Sequence, residues 1–297
     1  MTGTSNKIKP KNKFFKLVKN DFLASSRLIS LCYVALAIVL LIGVVSRKLI
    51  EAGNLSVENL DKVSKVFGVS IIVSLLGVFV LIFATIFFVI YDFFKSLYSP
   101  QGYLSFTLPV SSNQLLGSKI LVYGGWLILS FAALFFVYFY WGSFAMAEYG
   151  EQISMAEAFA GVMGLGFTLN QLIAQIVIIA VGAAVYIISY VFLIYFAITL
   201  SHVGKLQKYS IILSIFLFFV AVAIFMSITN KSAELVNFSA VFIPEKGKVA
   251  FDILRDGEQF RENVVAVCIT DVVTAIILDI GIFFGTSYIM HKKVNIK

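Results

Sequence analysis

The chain has 297 residues and a formal net charge of +7; it is 60% hydrophobic, only 13% charged, and has a mean hydropathy of +0.97. These values lie outside the range of soluble domains. They exclude a nucleic-acid role, which would need a soluble basic surface, and assign the positive excess to membrane topology and to attraction by anionic inner-leaflet lipid.

A membrane helix needs about 20 apolar residues to cross roughly 30 Å of hydrocarbon. Six stretches reach that length, so the expected fold class is an all-α integral membrane protein with six transmembrane helices. The runs are continuous rather than alternating, which argues against a β-barrel. Residues 1–11 are polar and basic and are expected to be disordered. Over residues 12–27, Phe14, Phe15, Val18 and Phe22 recur at helical spacing between Lys13, Lys16 and Lys19. This pattern predicts an N-terminal amphipathic helix at the inner headgroup layer, with a cytoplasmic extension of the first span as the alternative. The first span is 28–45, and the charged and polar stretch ahead of it argues against a cleavable signal peptide. A loop over 46–68 is expected to hold a helical turn around 57–66, followed by the second span, 69–91.

The third span is 120–146, and the loop after it is acidic, with Glu148, Glu151 and Glu157. The fourth span, 172–200, opens with Gln171 and Gln175, which share a helix face and can bond across helices or line a path. The fifth span is 210–228. In the external segment 229–263, Phe238 to Ile243 and Lys248 to Ile253 flank Pro244-Glu245-Lys246-Gly247, an arrangement that permits a hairpin or short helices dipping toward the bilayer. The sixth span is 264–290, and residues 291–297 form a basic tail. Lysine and arginine crowd the side that carries both termini; the other side holds nine of the 23 basic residues, five of them in one long loop. Both termini are therefore expected in the cytoplasm. Cys32 and Cys268 fall at opposite depths, too far apart for a disulfide within one chain.

Catalytic motifs are missing from the sequence. There is no G-x-x-x-x-G-K-[ST] phosphate loop and no H-E-x-x-H or clustered Cys/His arrangement, so neither ATP hydrolysis by that machinery nor a metal site is expected within the chain. The acidic residues inside a span are Asp271 and Asp279. A carboxylate in hydrocarbon is costly and normally faces protein or water. Eight residues apart, the two lie roughly 80° around a helix and can share a broad face. They read either as the lining of a substrate path or proton relay, or as groups neutralised by neighbouring helices. A self-contained ion- or proton-coupled secondary transporter or channel would use them.

The loop between the second and third spans carries the remaining signal. Pro and Gly in Ser99-Pro100-Gln101-Gly102 stop the second helix and force a compact turn. Apolar Leu97, Tyr98, Tyr103, Leu104 and Phe106 stand there beside Lys95, a composition that marks a docking surface or an interfacial loop. The segments Phe94-Lys95-Ser96-Leu97 and Gly102-Tyr103-Leu104-Ser105-Phe106-Thr107-Leu108-Pro109-Val110 resemble a motif close to F-Y-K-S-L-x-x-x-x-G-Y-L-x-F-T-L-P-V. That motif occurs in membrane subunits of type-2 ATP-binding-cassette (ABC) exporters, especially small bacterial six-helix permeases. Relatives often place acidic residues before the Gly-Tyr-Leu, where this chain has Pro100-Gln101.

The resemblance implies a cytoplasmic coupling helix that docks into a cleft of a separate ATPase through Phe94, Lys95, Leu97, Tyr98, Gly102, Tyr103, Leu104, Phe106 and Pro109. It also implies a bacterial plasma membrane location and an assembly of two ATPase subunits with two permease chains, identical or related. ATP and magnesium would bind on the partner rather than on this chain. Cargo of the antimicrobial-peptide or lipid-like kind, exported or resisted, belongs to the same implication.

Overall fold

The computed structural model describes residues 13–99, 102, 110–147, 169–203, 209–236, 238–243, 248–253 and 265–292. Six long helices form the body: α1 (Lys13–Glu51), α2 (Val57–Tyr98), α3 (Ser112–Ala147), α4 (Leu169–Ser201), α5 (Ser210–Leu235) and α6 (Ile269–Lys292). All six are long and apolar enough to cross a membrane. Hydrocarbon offers no partner to a backbone amide, so a continuous apolar run must satisfy its hydrogen bonds internally, as a helix does. The chain is thus a multi-pass, all-α membrane protein. With six crossings, the start of α1 and the end of α6 share one side, called here the terminal end.

Several boundaries differ from those read from hydropathy. The segment 13–27 and the first span form one uninterrupted helix, so the structure has the extension rather than a separate surface helix. Residues 57–66 are likewise the first turns of α2. Gly53, at φ +66°, ends the α1 connection in the left-handed conformation that glycine adopts without a Cβ penalty. Ser99 is extended (φ −91°, ψ 172°) because it precedes Pro100, whose ring disfavours helical geometry at the residue before it. At the start of α3, Gln114 N bonds Ser111 Oγ and Ser111 N bonds Gln114 Oε1, each at 3.3 Å. This reciprocal capping box fixes the beginning of α3 well before residue 120.

Helices α1–α3 and α4–α6 form two groups joined by α3 against α4 and α6, and by α2 against α4. Polar atoms at mid-depth knit the first group. Tyr33 Oη and Ser130 Oγ lie 2.9 Å apart, Ser130 Oγ and Thr85 Oγ1 3.1 Å apart, and Trp141 Nε1 donates to Ser74 Oγ at 2.8 Å. Away from water such bonds hold helices in register. A Cβ at Gly43 would come within 2.6 Å of both Ser70 Oγ and the Trp141 ring, so α1 closes tightly on its neighbours there.

At the far end β1 (Phe238–Ile243) and β2 (Lys248–Ile253) form the hairpin that the sequence allowed, paired from Phe238 opposite Ile253 to Ile243 opposite Lys248. The connecting residues 244–247 lie outside the described set. A third strand, β3 (Val265–Cys268), pairs antiparallel with the other edge of β1, giving the order β2-β1-β3. The beginning of the expected sixth span is therefore a strand, and the helix starts at Ile269. Cys32 and Cys268 are both free thiols.

Candidate functional site

The densest polar cluster among the described residues sits at the terminal end, where α1, α2 and α3 meet. Lys119, on the second turn of α3, is buried at 2% exposure. Its Nζ lies 2.5 Å from Asp92 Oδ2 and 3.6 Å from Asp21 Oδ1. Ser118 Oγ, 2.8 Å from Asp21 Oδ2, extends the cluster, and the buried Tyr123 hydroxyl reaches Asp92. Trp126 Nε1 donates to Ser25 Oγ at 3.0 Å while Phe22 stacks on the indole, fastening α1 to α3 one turn deeper. A buried lysine needs countercharge, and here two carboxylates from different helices supply it.

The cluster lies beside the loop that the sequence singled out. Asp92 is seven residues before Ser99 and Lys119 seven after Ser112, so their ion pair bridges the two helices that lead into and out of the loop. Phe93 and Leu97 are fully buried, with Phe93 stacked on Tyr195 at 3.9 Å between centroids. Tyr98 Oη donates to Thr199 Oγ1 at 2.8 Å, and its ring stacks on His202 at 4.2 Å. Phe94 also rests near His202. Lys95 is exposed, its ammonium 5.4 Å from the Tyr91 ring centroid.

Of the residues read from sequence as part of a docking surface, Leu97 is buried inside the protein and Tyr98 is half-buried against Thr199 and His202. Gly102 N bonds Ser99 O at 2.7 Å, closing the turn. A Cβ at Gly102 would lie 2.3 Å from Leu97 O, so only glycine fits this approach. Tyr103, Leu104, Phe106 and Pro109 lie outside the described residues.

His202 caps the end of α4. Its Nδ1 is 2.7 Å from Ile198 O and 3.1 Å from Ser201 Oγ, and Ser201 Oγ in turn lies 2.7 Å from Ser214 Oγ on α5. Burial holds the imidazole below its ordinary value of 6.5, against a smaller opposing effect of the Ile198 carbonyl.

The intramembrane acids separate. Asp271 occupies the first turn of α6, where a carboxylate is favoured by the exposed amides of a helix N-terminus. Asp279 lies about 12 Å further along the axis. It is buried at 6% exposure, with Oδ2 2.7 Å from Ser189 Oγ and Oδ1 without a partner. The structure does not bring the two together in one site. Gln171 and Gln175 are on α4, and their side chains lie outside the described residues.

The sequence reading missed the pairing of Asp21 and Asp92 with Lys119. The signal is present in the sequence as opposite charges at the facing ends of consecutive helices, Asp92 near the end of α2 and Lys119 near the start of α3. No protein-family model, curated protein or solved structure matches the chain.

Proposed function

We propose that the chain is the permease subunit of an ABC exporter in a bacterial plasma membrane, with both termini in the cytoplasm. In this reading it forms a translocation pathway with a second permease chain and is driven by two copies of a separate ATPase that binds ATP and magnesium. Antimicrobial-peptide or lipid-like cargo fits the apolar surfaces of such a subunit. The reading rests on the motif from Phe94 to Val110, and one observation supports it best. The helices on either side of that loop are pinned to each other by Lys119 and Asp92 and to α1 by Asp21. Helices joined in this way move as one body, which is what transmission of a push from a soluble motor requires.

The test is to purify the chain gently from its native membrane and to identify what accompanies it, alongside Tyr103→Ala. A stoichiometric nucleotide-binding ATPase that is lost in the variant, while the variant chain remains monodisperse, supports the reading. Recovery of the chain alone, with Tyr103→Ala indistinguishable, overturns it.

The unpartnered Oδ1 of Asp279 favours a second reading, an ion- or proton-coupled transporter or channel. That reading expects nucleotide-independent, ion-dependent flux that Asp279→Asn abolishes.

A further inference from the structure

Between α4 and α6, at mid-helix depth, a cleft of about 360 Å³ is walled by Val185, Ile188, Phe192, Ile276, Ile280 and Phe283. Small-molecule sites typically enclose about 300–1,000 Å³. One ionisable side chain, Asp279, lines this cleft. Phe284 also lines a second cleft, about 710 Å³, at the terminal end, together with Ser111, Ser112, Asn113, Ser287 and His291.

The hydrogen bonds around that acid define what it lacks. Ser189 Oγ lies 3.0 Å from Val185 O and 2.7 Å from Asp279 Oδ2. A hydroxyl owns one proton and can serve only one of these acceptors. With the proton on Val185 O, the contact to Asp279 requires the carboxyl itself to carry a proton. With the hydroxyl turned toward Oδ2, Asp279 is either a neutral acid with its proton on Oδ1 or a carboxylate whose Oδ1 meets no described protein group. A negative charge at this depth needs a proton or a cation to balance it.

Among the described residues no such cation meets Asp279. From α4 the group facing Asp279 is Ser189, with Tyr186 and Tyr190 elsewhere on that helix. Helix α3 brings Lys119 and Tyr123, which are engaged with Asp92. Helix α5 brings Lys231 and Glu234, both exposed. On α6, Asp271 and His291 stand eight and twelve residues away. None of these groups is bonded to Asp279, whose hydrogen bond among the described residues is with Ser189.

We propose that the cleft between α4 and α6 binds a lipophilic organic cation, a bulky apolar body with one positive charge. Its charge sits against Asp279, and its body sits among Phe192, Phe283 and Phe284, whose ring faces also attract cations. Calcium and magnesium do not fit the donor set, since each takes six or more oxygen ligands and this cleft offers a single carboxylate. A neutral guest is compatible only with the protonated acid. The site stands whether or not an ATPase drives the chain, so its test uses the purified chain alone.

Labelled tetraphenylphosphonium is titrated by equilibrium dialysis against the chain in lipid nanodiscs. Triphenylmethane serves as a neutral competitor of similar shape. A proton and the cation compete for one carboxylate, so binding should tighten as pH rises, by up to tenfold per unit, until the free site is already ionised. Asp279→Asn should weaken binding at least tenfold and remove the pH dependence, while Ser189→Ala should shift the pH profile and retain saturable binding.

The wild-type protein is decisive even if a variant fails to fold. Binding that is independent of pH, or displaced by triphenylmethane at concentrations equal to those of tetraphenylphosphonium, overturns the proposal. Absence of binding, with a disulfide formed between two chains carrying Ile280→Cys, also overturns it and assigns the cleft to a contact between copies.

Discussion

With Lys119 buried and two carboxylates within 3.6 Å, removing one sign leaves the other uncompensated where water does not reach. Breaking a buried pair in this way costs about 3–5 kcal/mol, and the partial exposure of Asp21 and Asp92 places this cluster near the lower figure. Asp92→Asn and Lys119→Met should each lower the temperature at which the purified protein loses its monodisperse chromatographic peak. Combining Lys119→Met with Asp21→Asn and Asp92→Asn should recover much of that loss, because no charge is then stranded. Equal midpoints for Asp92→Asn and wild type would remove the cluster from the account.

His202 makes a separate prediction. Its folded-state value is depressed, so the unfolded chain binds a proton that the folded protein resists. Stability from this group is therefore complete above its ordinary value of 6.5 and declines as pH falls through that value. The unfolding midpoint should drop on acidification from pH 7 to pH 5.5, and less so in His202→Gln. These residues were visible in the sequence, but their partners were not. Counting charges by side of the membrane says nothing of depth, and depth brings Lys119 to Asp92.

Among the helices, the six apolar runs were legible because lipid forces one backbone solution on any such run. Their ends were not legible, since hydropathy stops at the headgroups while hydrogen bonding continues. The Ser111–Gln114 capping box, a recognisable sequence signature, marks where α3 begins, yet the apolar count placed that start at residue 120. The stretch Val265 to Cys268 was ambiguous for a different reason. Four apolar residues suit a span or a strand equally, and the free edge of β1 decided between them.

Two glycines test the packing of these elements. Gly43→Ala should cost about 1–3 kcal/mol, the usual penalty for overfilling a tight contact, read as a lower midpoint by the same chromatographic assay. Gly102→Ala places a methyl against the Leu97 carbonyl and prevents the turn from closing. It should abolish ATPase recovery; undiminished recovery would show that the turn is not needed for docking.

At the scale of the molecule, the apolar surface is turned outward. Along α5, Ile211, Ile212, Phe216 and Phe219 are each more than half exposed, and the buried residues of that helix are Phe225 and Thr229. Such a surface is stable only against lipid or other protein. In a chain with Cys32 and Cys268 replaced by alanine, Lys62→Cys should react with an impermeant maleimide added to intact cells. His291→Cys should react only after lysis. The reverse pattern would invert the orientation.

The fused helices have one more consequence. At about 1.5 Å per residue, the 39 residues of α1 and the 42 of α2 span roughly 58 and 63 Å, about twice the hydrocarbon thickness. Each is an unbroken rod that emerges on both sides of the bilayer. On the far side, α2 is stiffened by the surface pairs Glu58–Lys62 and Asp61–Lys65; at its other end it is anchored by Asp92. A rod of that length works as a lever with the bilayer as its fulcrum. A tilt of about 5° displaces one tip relative to the other by ~5 Å, comparable to a full helical turn. A nudge at the loop after Tyr98 would thus reach the opposite aqueous face without any hydrogen bond in α2 having to break.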